Sequence, residues 1–190
     1  PYQETAMPDL TKRTLGRTGV EVTTLGYGAM ELRGAPRGRD VSDEDAGRIL
    51  NAVLDSGINL IDTSIDYGMS EEFIGKHIAH RRDEYFLASK CGCQFDWQPK
   101  AGEDRGGPHI YTKDNIVAGI NQSLTRLKTD HLDLVQIHAT PSKAVLEENG
   151  TIETLKELQQ EGKVRFLGMS GTLPNIHGHI AMGVFDAFQI

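Results

Sequence analysis

The sequence predicts an α/β chain in which parallel strands, joined by crossover helices, curl toward a barrel behind an N-terminal β-hairpin. Three observations carry that reading. First, strand-like and helix-like runs alternate along most of the 190 residues, as parallel strands with crossover helices require. Second, no glycine-rich phosphate fingerprint joins a strand to its helix. Gly26-x-Gly28 lacks the third glycine of G-x-G-x-x-G, and no G-x-x-x-x-G-K-[ST] is present, which favours a barrel over a doubly wound sheet. Third, successive apolar runs end in a polar or ionisable residue, and the strand ends of a parallel barrel gather on one face.

The elements follow in order. Lys12–Leu15 and Val20–Thr23 are short runs around the turn Gly16-Arg17-Thr18-Gly19 and predict the hairpin. Leu25–Gly28 reads as a strand end. Ser42 is a helix N-cap before Asp43-Glu44-Asp45, and Ala46, Ile49, Leu50 and Val53 recur at helical spacing until Gly57 stops the helix. Asn59–Ile61 is a buried strand, Phe73, Ile74 and Ile78 mark a helix, and Tyr85–Ser89 is the next strand. From Cys91 to Tyr111 the alternation breaks, with Gly92, Pro99, Gly102, Gly106, Gly107 and Pro108 in the gap. A loop of this length in a compact domain is usually functional or mobile. Thr112 caps a helix carrying Ile116, Val117, Ile120, Leu124 and Leu127. Leu132–Ile137 is a strong strand, and a helix with Ile152, Leu155 and Leu158 stops at Gly162. Val164–Met169 is a strand, Pro174–Met182 a weaker helix, and Phe185–Ile190 the last strand.

Composition narrows the function classes. A net charge of -7 does not suit a nucleic-acid binder, which needs a basic surface. No apolar run is long enough for a membrane helix, and the polar first eleven residues do not resemble a signal peptide. Cys91 and Cys93, separated by one glycine, suit neither a disulfide nor a zinc motif, so no metal is expected and a reducing, cytoplasmic compartment fits best.

The strand ends hold the chemistry. Asp62 follows Asn59-Leu60-Ile61, Lys90 follows Phe86-Leu87-Ala88-Ser89, and His138 follows Leu134-Val135-Gln136-Ile137. Ser170 follows Phe166-Leu167-Gly168-Met169, and Gln189 lies in the last strand. Singly, each has a plainer reading: a capping Asp, a solvated Lys, a structural His. Five such endings on successive units argue for a set.

These residues sit in segments that resemble the aldo-keto reductase family. Gly57-Ile58-Asn59-Leu60-Ile61-Asp62-Thr63-Ser64-Ile65-Asp66-Tyr67-Gly68 is similar to a family signature in which Asp precedes the catalytic Tyr by five residues. Leu87-Ala88-Ser89-Lys90 resembles the lysine strand. Ser123-Leu124-x-Arg126-Leu127-x-x-Asp130-x-Leu132-Asp133-Leu134, followed by Gln136-Ile137-His138, resembles a second signature. Gly162-Lys163-Val164-Arg165-Phe166-Leu167-Gly168-Met169-Ser170 resembles the segment leading to the nicotinamide amide. The matches occur in the family's order and cover nearly the whole chain.

The resemblance implies a (β/α)8 TIM-barrel fold and hydride transfer between NADP(H), NAD(H) not excluded, and an aldehyde, ketone or sugar carbonyl. Its partners would be a small carbonyl or alcohol substrate, with no nucleic acid and no membrane. It implies the tetrad Asp62, Tyr67, Lys90 and His138. Tyr67 would be the general acid–base, Lys90 the cation that lowers its pKa, Asp62 the partner that steadies Lys90, and His138 the orienter of the substrate carbonyl. Asp62, Ser170 and Gln189 would contact the cofactor, as would Gly28, Ala29 and Met30 at the first strand end. Where the family usually has Asn after the serine, this chain has Gly171. Trp97 could line the substrate pocket beside Tyr67 and His138, since aromatics often wall such sites. Asp66 reads as a second carboxylate in solvent. His77, His80, His109, His131, His177 and His179 read as surface or loop residues.

Only six strand–helix units are counted, the last without its helix, so residues 1–190 are expected to form one C-terminally incomplete barrel domain: an open six-stranded arc. A barrel edge so exposed leaves backbone groups unpaired. The chain would then be a piece of a longer protein, a cleaved or partly ordered product, or one that pairs its edge with a second chain; the first two are favoured. Two other functions stay open: a nicotinamide-binding regulatory protein on the same fold, and an inactive fragment of the reductase.

Overall fold

A computed structural model describes residues 10–98 and 106–190. Pro99 and Gly102 of the long segment, and most of the polar N-terminal stretch, lie outside the described residues. The hairpin forms as expected. Strands β1 (Lys12–Thr14) and β2 (Glu21–Thr23) pair antiparallel with Arg13 opposite Val22. Its turn packs on the far end of the chain. A side chain at Gly16, which has φ +50°, would meet the Asp186 carbonyl at 2.0 Å, and Arg17 N–H donates to that carbonyl at 2.7 Å.

The main sheet has six parallel strands: β3 (Tyr27–Gly28), β4 (Leu60–Asp62), β5 (Phe86–Cys91), β6 (Leu132–Ile137), β7 (Val164–Ser170) and β8 (Ala187–Gln189). Each strand pairs with the next in chain order, as successive crossovers in one direction produce. Among the described residues β3 and β8 are the two edges, which is the expected open arc. Helices α1 (Asp43–Asp55), α2 (Ser70–His77), α3 (Lys113–Leu127), α4 (Lys143–Glu148), α5 (Thr151–Gln160) and α6 (Ile176–Met182) fill the crossovers.

Several local expectations can be checked. Ser42 caps α1 by accepting from Asp45 N–H, and Gly57 and Gly162 follow their helices with φ of +85° and +77°. Thr112 stands at the N-cap of α3 in extended geometry, but its side chain makes no capping bond. Helix α4 has no counterpart in the sequence pattern. Its six residues are too few to show a period, and Ser142 starts it by accepting from Val145 N–H. The last strand is shorter than the Phe185–Ile190 run, because Phe185 turns into the helix-side core instead.

The alternation of side chains along each strand decides what the two faces do. Ile61, Leu87, Val135, Ile137, Leu167 and Met169 face the large core formed with the helices. The opposite face carries Leu60, Phe86, Ala88, Leu134, Phe166 and Ala187, which pack with Val22, Leu15 and Val20 of the hairpin. The hairpin therefore plugs the N-terminal end of the arc. Further along the same face, two residues on in four strands and four residues on in β7, the alternation brings Asp62, Lys90, Gln136, Ser170 and Gln189 to the C-terminal end.

Candidate active site

Strand register assembles the charged part of the site. Lys90 pairs with Gln136 across β5 and β6, and Asp62 pairs with Ala88 across β4 and β5. Lys90 Nζ, on a side chain only 2% exposed, donates to Asp62 Oδ2 at 2.6 Å and to the Thr63 carbonyl at 3.0 Å. Gln136 Nε2 donates to the other oxygen, Asp62 Oδ1, at 2.8 Å. Each carboxylate oxygen thus has its own donor. The desolvation cost of the buried ammonium is met by one ion pair and one carbonyl.

Tyr67 lies in the turn between β4 and α2, held by its N–H on the Ser64 carbonyl at 3.0 Å. Gly68, with φ +46°, follows it because a side chain there would strike the Arg33 carbonyl at 2.1 Å. This turn sets the half-buried phenol ring 5.0 Å from Lys90 Nζ and edge-on to His138, with ring centroids 6.5 Å apart. Burial pushes the Tyr67 pKa up; the charge of Lys90 pulls it down, but the net direction is upward. The expected lowering by Lys90 is therefore present and is outweighed by burial.

His138 follows β6. Its N–H donates to the Cys91 carbonyl at 3.0 Å, and its own carbonyl accepts from Tyr111 Oη at 2.7 Å. Burial depresses the imidazole pKa to about 4, so the ring is neutral near pH 7. Nδ1 lies 3.1 Å from Cys93 Sγ. The Cys93 thiol is pushed well up by burial and keeps its proton. A neutral thiol sulfur accepts weakly and an imidazole nitrogen accepts well, so S–H donates to Nδ1 and the ring proton sits on Nε2.

Other expectations need correction. Asp66 is not in solvent. It is buried, its Oδ1 accepts from Ser64 Oγ at 2.7 Å, and Arg37 Nη2 lies 3.6 Å from Oδ2. His179 is not a surface residue either; it is buried and contacts the Pro141 carbonyl at 2.8 Å. His109 does lie in a loop, but its ring stands 5.2 Å from that of His138. Trp97 packs under the Arg37 guanidinium and lines a cavity of about 140 Å³ with Arg37, Arg126, Asp66 and Gly68. It stands beside the flank of the Tyr67 turn.

At the other end of the arc, Ser170 and Gln189 are register partners, and Gly171 N–H donates to the Gln189 carbonyl at 3.0 Å. Their side chains offer a hydroxyl and an amide at the exposed strand ends. The missing Asn at position 171 has a steric counterpart: a side chain there would meet Thr140 Oγ1 at 2.4 Å. Of the three residues at the first strand end, Gly28 and Met30 are exposed, and the space above Gly28 is open. Ala29 is fully buried and its carbonyl accepts from Ser70 Oγ at 2.9 Å, so it presents no side-chain surface to a ligand.

Gln136 does not stand out in the sequence as a functional residue, although it lies two before His138 and holds Asp62. The period-2 pattern was the available signal, since it puts Gln136 on the same face as Leu134. His109 had no such signal, because a loop return brings it to the site.

Known proteins resemble the chain in one consistent way. A model of the aldo/keto reductase family matches residues 24–178. An uncharacterized oxidoreductase of Bacillus subtilis (strain 168) is 34% identical over 174 residues, covering 87% of this chain and 50% of that protein. The L-galactose dehydrogenase of Arabidopsis thaliana is likewise 34% identical over 174 residues, with the same coverage. Among solved structures, an aldo-keto reductase of Bacillus halodurans in its holo form superimposes with a TM-score of 0.78 at 33% identity, covering 95% of this chain and 58% of that one. The chain spans about half the length of the curated relatives it matches.

Proposed function

The chain belongs to the aldo-keto reductase family, and on that premise we propose that it carries the carbonyl-reducing centre of a nicotinamide-dependent oxidoreductase, with Tyr67 as the acid–base. The observation that carries this reading is the Asp62–Lys90 ion pair of 2.6 Å set under the Tyr67 ring, with a neutral His138 edge-on to that ring. A packing role alone gives no reason to bury an ammonium beside a phenol.

The residues present fit a nicotinamide. Ser170 and Gln189 stand together as a donor–acceptor pair at an exposed strand end, and the open space above Gly28 adjoins Asp62 in the register. These residues, with Met30, would hold the nicotinamide end, and NADP(H) and NAD(H) are both candidates. When bound, the nicotinamide supplies or accepts the hydride.

The side chains do the rest. Charge building on the carbonyl oxygen needs a donor close by. Tyr67 gives its phenol proton to that oxygen, and its raised pKa keeps it protonated and ready near neutrality. Lys90 stabilises the tyrosinate that remains. Asp62 and Gln136 hold Lys90 and its partner in place. His138 Nε2–H donates to the carbonyl and sets its direction. The substrate is a small aldehyde, ketone or sugar, and two free cysteines suit a reducing compartment.

The test is nicotinamide fluorescence on adding NADPH or NADH, followed by reduction of a simple aldehyde, for this chain and for any longer protein containing it. Tyr67→Phe should keep cofactor binding and lower turnover by about 10²-fold or more. Undiminished turnover in Tyr67→Phe would sink the assignment.

A further inference from the structure

One cluster shares His138 with the tetrad and adds two residues that hydride transfer does not use. Cys93, His109 and His138 each offer a ligand atom, and these atoms all lie within 4.8 Å of one another. We propose that the three residues form a site for a single zinc-class metal ion, bound by Cys93 Sγ, His109 and His138 Nδ1.

The backbone builds this cluster in advance. Cys93 and His109 face each other across an isolated antiparallel bridge. The flanking bonds are Gln94 N–H to the Pro108 carbonyl at 2.8 Å and Ile110 N–H to the Gly92 carbonyl at 2.6 Å. Cys93 and His109 are therefore a non-hydrogen-bonded pair, the arrangement that brings two side chains closest on one face. Gly92, at φ +94°, makes the approach possible, because a side chain there would enter the Tyr111 ring at 2.5 Å. Tyr111 Oη in turn holds the carbonyl of His138. One connected set of backbone and side-chain bonds thus fixes all three ligands.

Geometry and chemistry suit a soft divalent ion. Zinc bonds of about 2.3 Å to sulfur and about 2.0–2.1 Å to nitrogen put tetrahedral ligand atoms roughly 3.5 Å apart. Cys93 Sγ and His138 Nδ1 stand 3.1 Å apart and all three atoms lie within 4.8 Å of one another, so gathering on an ion asks for side-chain shifts of about 1 Å. One thiolate and two neutral imidazoles select zinc, cobalt(II) or copper over magnesium or calcium. His109 is exposed while Cys93 is 1% exposed, so the ion has an entry path and a buried anchor. On binding, the Cys93 S–H bond breaks, the sulfur pair goes to the metal, and the proton leaves to solvent. The fourth position is left for water.

The site does not displace the ring proton needed for the carbonyl. A metal on Nδ1 leaves the proton on Nε2, as the thiol does in its absence. The two roles use different nitrogens of His138, and the metal test reads cobalt absorbance rather than turnover, so failure of one reading is distinguishable from failure of the other.

The test is a cobalt(II) titration of the reduced chain, followed by absorbance. The expected result is one ion per chain, with a thiolate-to-cobalt charge-transfer band in the near ultraviolet and the visible bands of a tetrahedral ion, both removed by added zinc. Cys91→Ser should leave the bands unchanged, and Cys93→Ser should abolish the charge-transfer band. His109→Ala, which alters an exposed side chain and keeps the fold, should weaken binding by at least about tenfold. Absence of the band in the unmodified chain, its persistence in Cys93→Ser, or equal affinity in His109→Ala would each overturn the proposal.

Discussion

Replacing Asp62 tests the site at its most buried contact. Asp62 accepts from two donors on different strands: Lys90 Nζ at 2.6 Å and Gln136 Nε2 at 2.8 Å. Asp62→Asn keeps the shape but offers only one acceptor. Whichever way the amide turns, its NH₂ faces a donor. If the oxygen keeps Lys90, Gln136 loses its bond and meets a second amide; if it keeps Gln136, the ammonium keeps only the Thr63 carbonyl. In either case Lys90, on a side chain 2% exposed, has lost its counter-charge. Breaking a buried pair from one side costs about 3–5 kcal/mol. The Asp62 side chain is 19% exposed, so water relieves part of this and the low end, about 3 kcal/mol, is expected. For a chain of this size that is a fall of roughly 6–12 °C in Tm. Urea unfolding followed by circular dichroism measures it. Lys90→Met removes the charge instead, and the double variant closes the cycle. Because the introduced amide in the double variant no longer faces a buried ammonium, a coupling of about 1.5–3 kcal/mol is expected. A coupling under about 0.5 kcal/mol would refute the claim that the two residues share one desolvated bond.

Three further outcomes follow from a buried carboxylate and from the space around two helix glycines. Glu71 is fully buried, with Oε1 accepting from Ser89 Oγ and Oε2 unpartnered, 3.9 Å from Arg126 Nη1. Burial raises its pKa above the unfolded value of 4.5, so the folded state holds the extra proton between the two values. Its contribution is full below the unfolded pKa and is lost as pH rises through the folded one. Glu71→Gln should flatten that slope and gain on the parent as pH rises, read from urea midpoints at a series of pH values above the unfolded pKa; an unchanged slope would count against it. Gly75→Ala puts a methyl 1.9 Å from the Arg126 carbonyl and forces α2 from α3, so a loss of at least about 2 kcal/mol is expected despite the better helix former. Gly178→Ala in α6 meets nothing within 4 Å and should instead add up to about 1 kcal/mol in the same assay.

What could be read in the sequence follows from how local each cause is. The Ser42 cap, the glycines at 57 and 162 and the apolar strand runs are set by neighbouring residues, and the structure has them where the pattern put them. Helix α4 escaped because six residues show no period. Asp66 escaped for a different reason. Its partner Arg37 is far away in sequence, and a carboxylate alone reads as solvated until its cation is placed beside it. Tyr67 shows the limit of an electrostatic reading: the lysine expected to lower its pKa is there, but burial depends on the surrounding loops and decides the net direction.

The site itself is a consequence of register more than of spacing. A shift of one residue in any strand would send its polar end to the helix-side core and its apolar end to the open face. The register is therefore fixed at both ends of the same face. At the N-terminal end, Val22 of the hairpin packs with Phe86, Ala88, Leu134 and Ala187, and slipping any strand would unpack it. At the C-terminal end, Lys90, Asp62 and Gln136 bond only if three strands align. The apolar plug holds the charged cluster in place, and the charged cluster penalises every wrong alignment. This explains why an ammonium can be kept 2% exposed at low cost. It also explains why the hairpin, which packs at the opposite end of the strands, bears on the tetrad: loosening Val22 should loosen the pairing that brings Lys90 to Asp62.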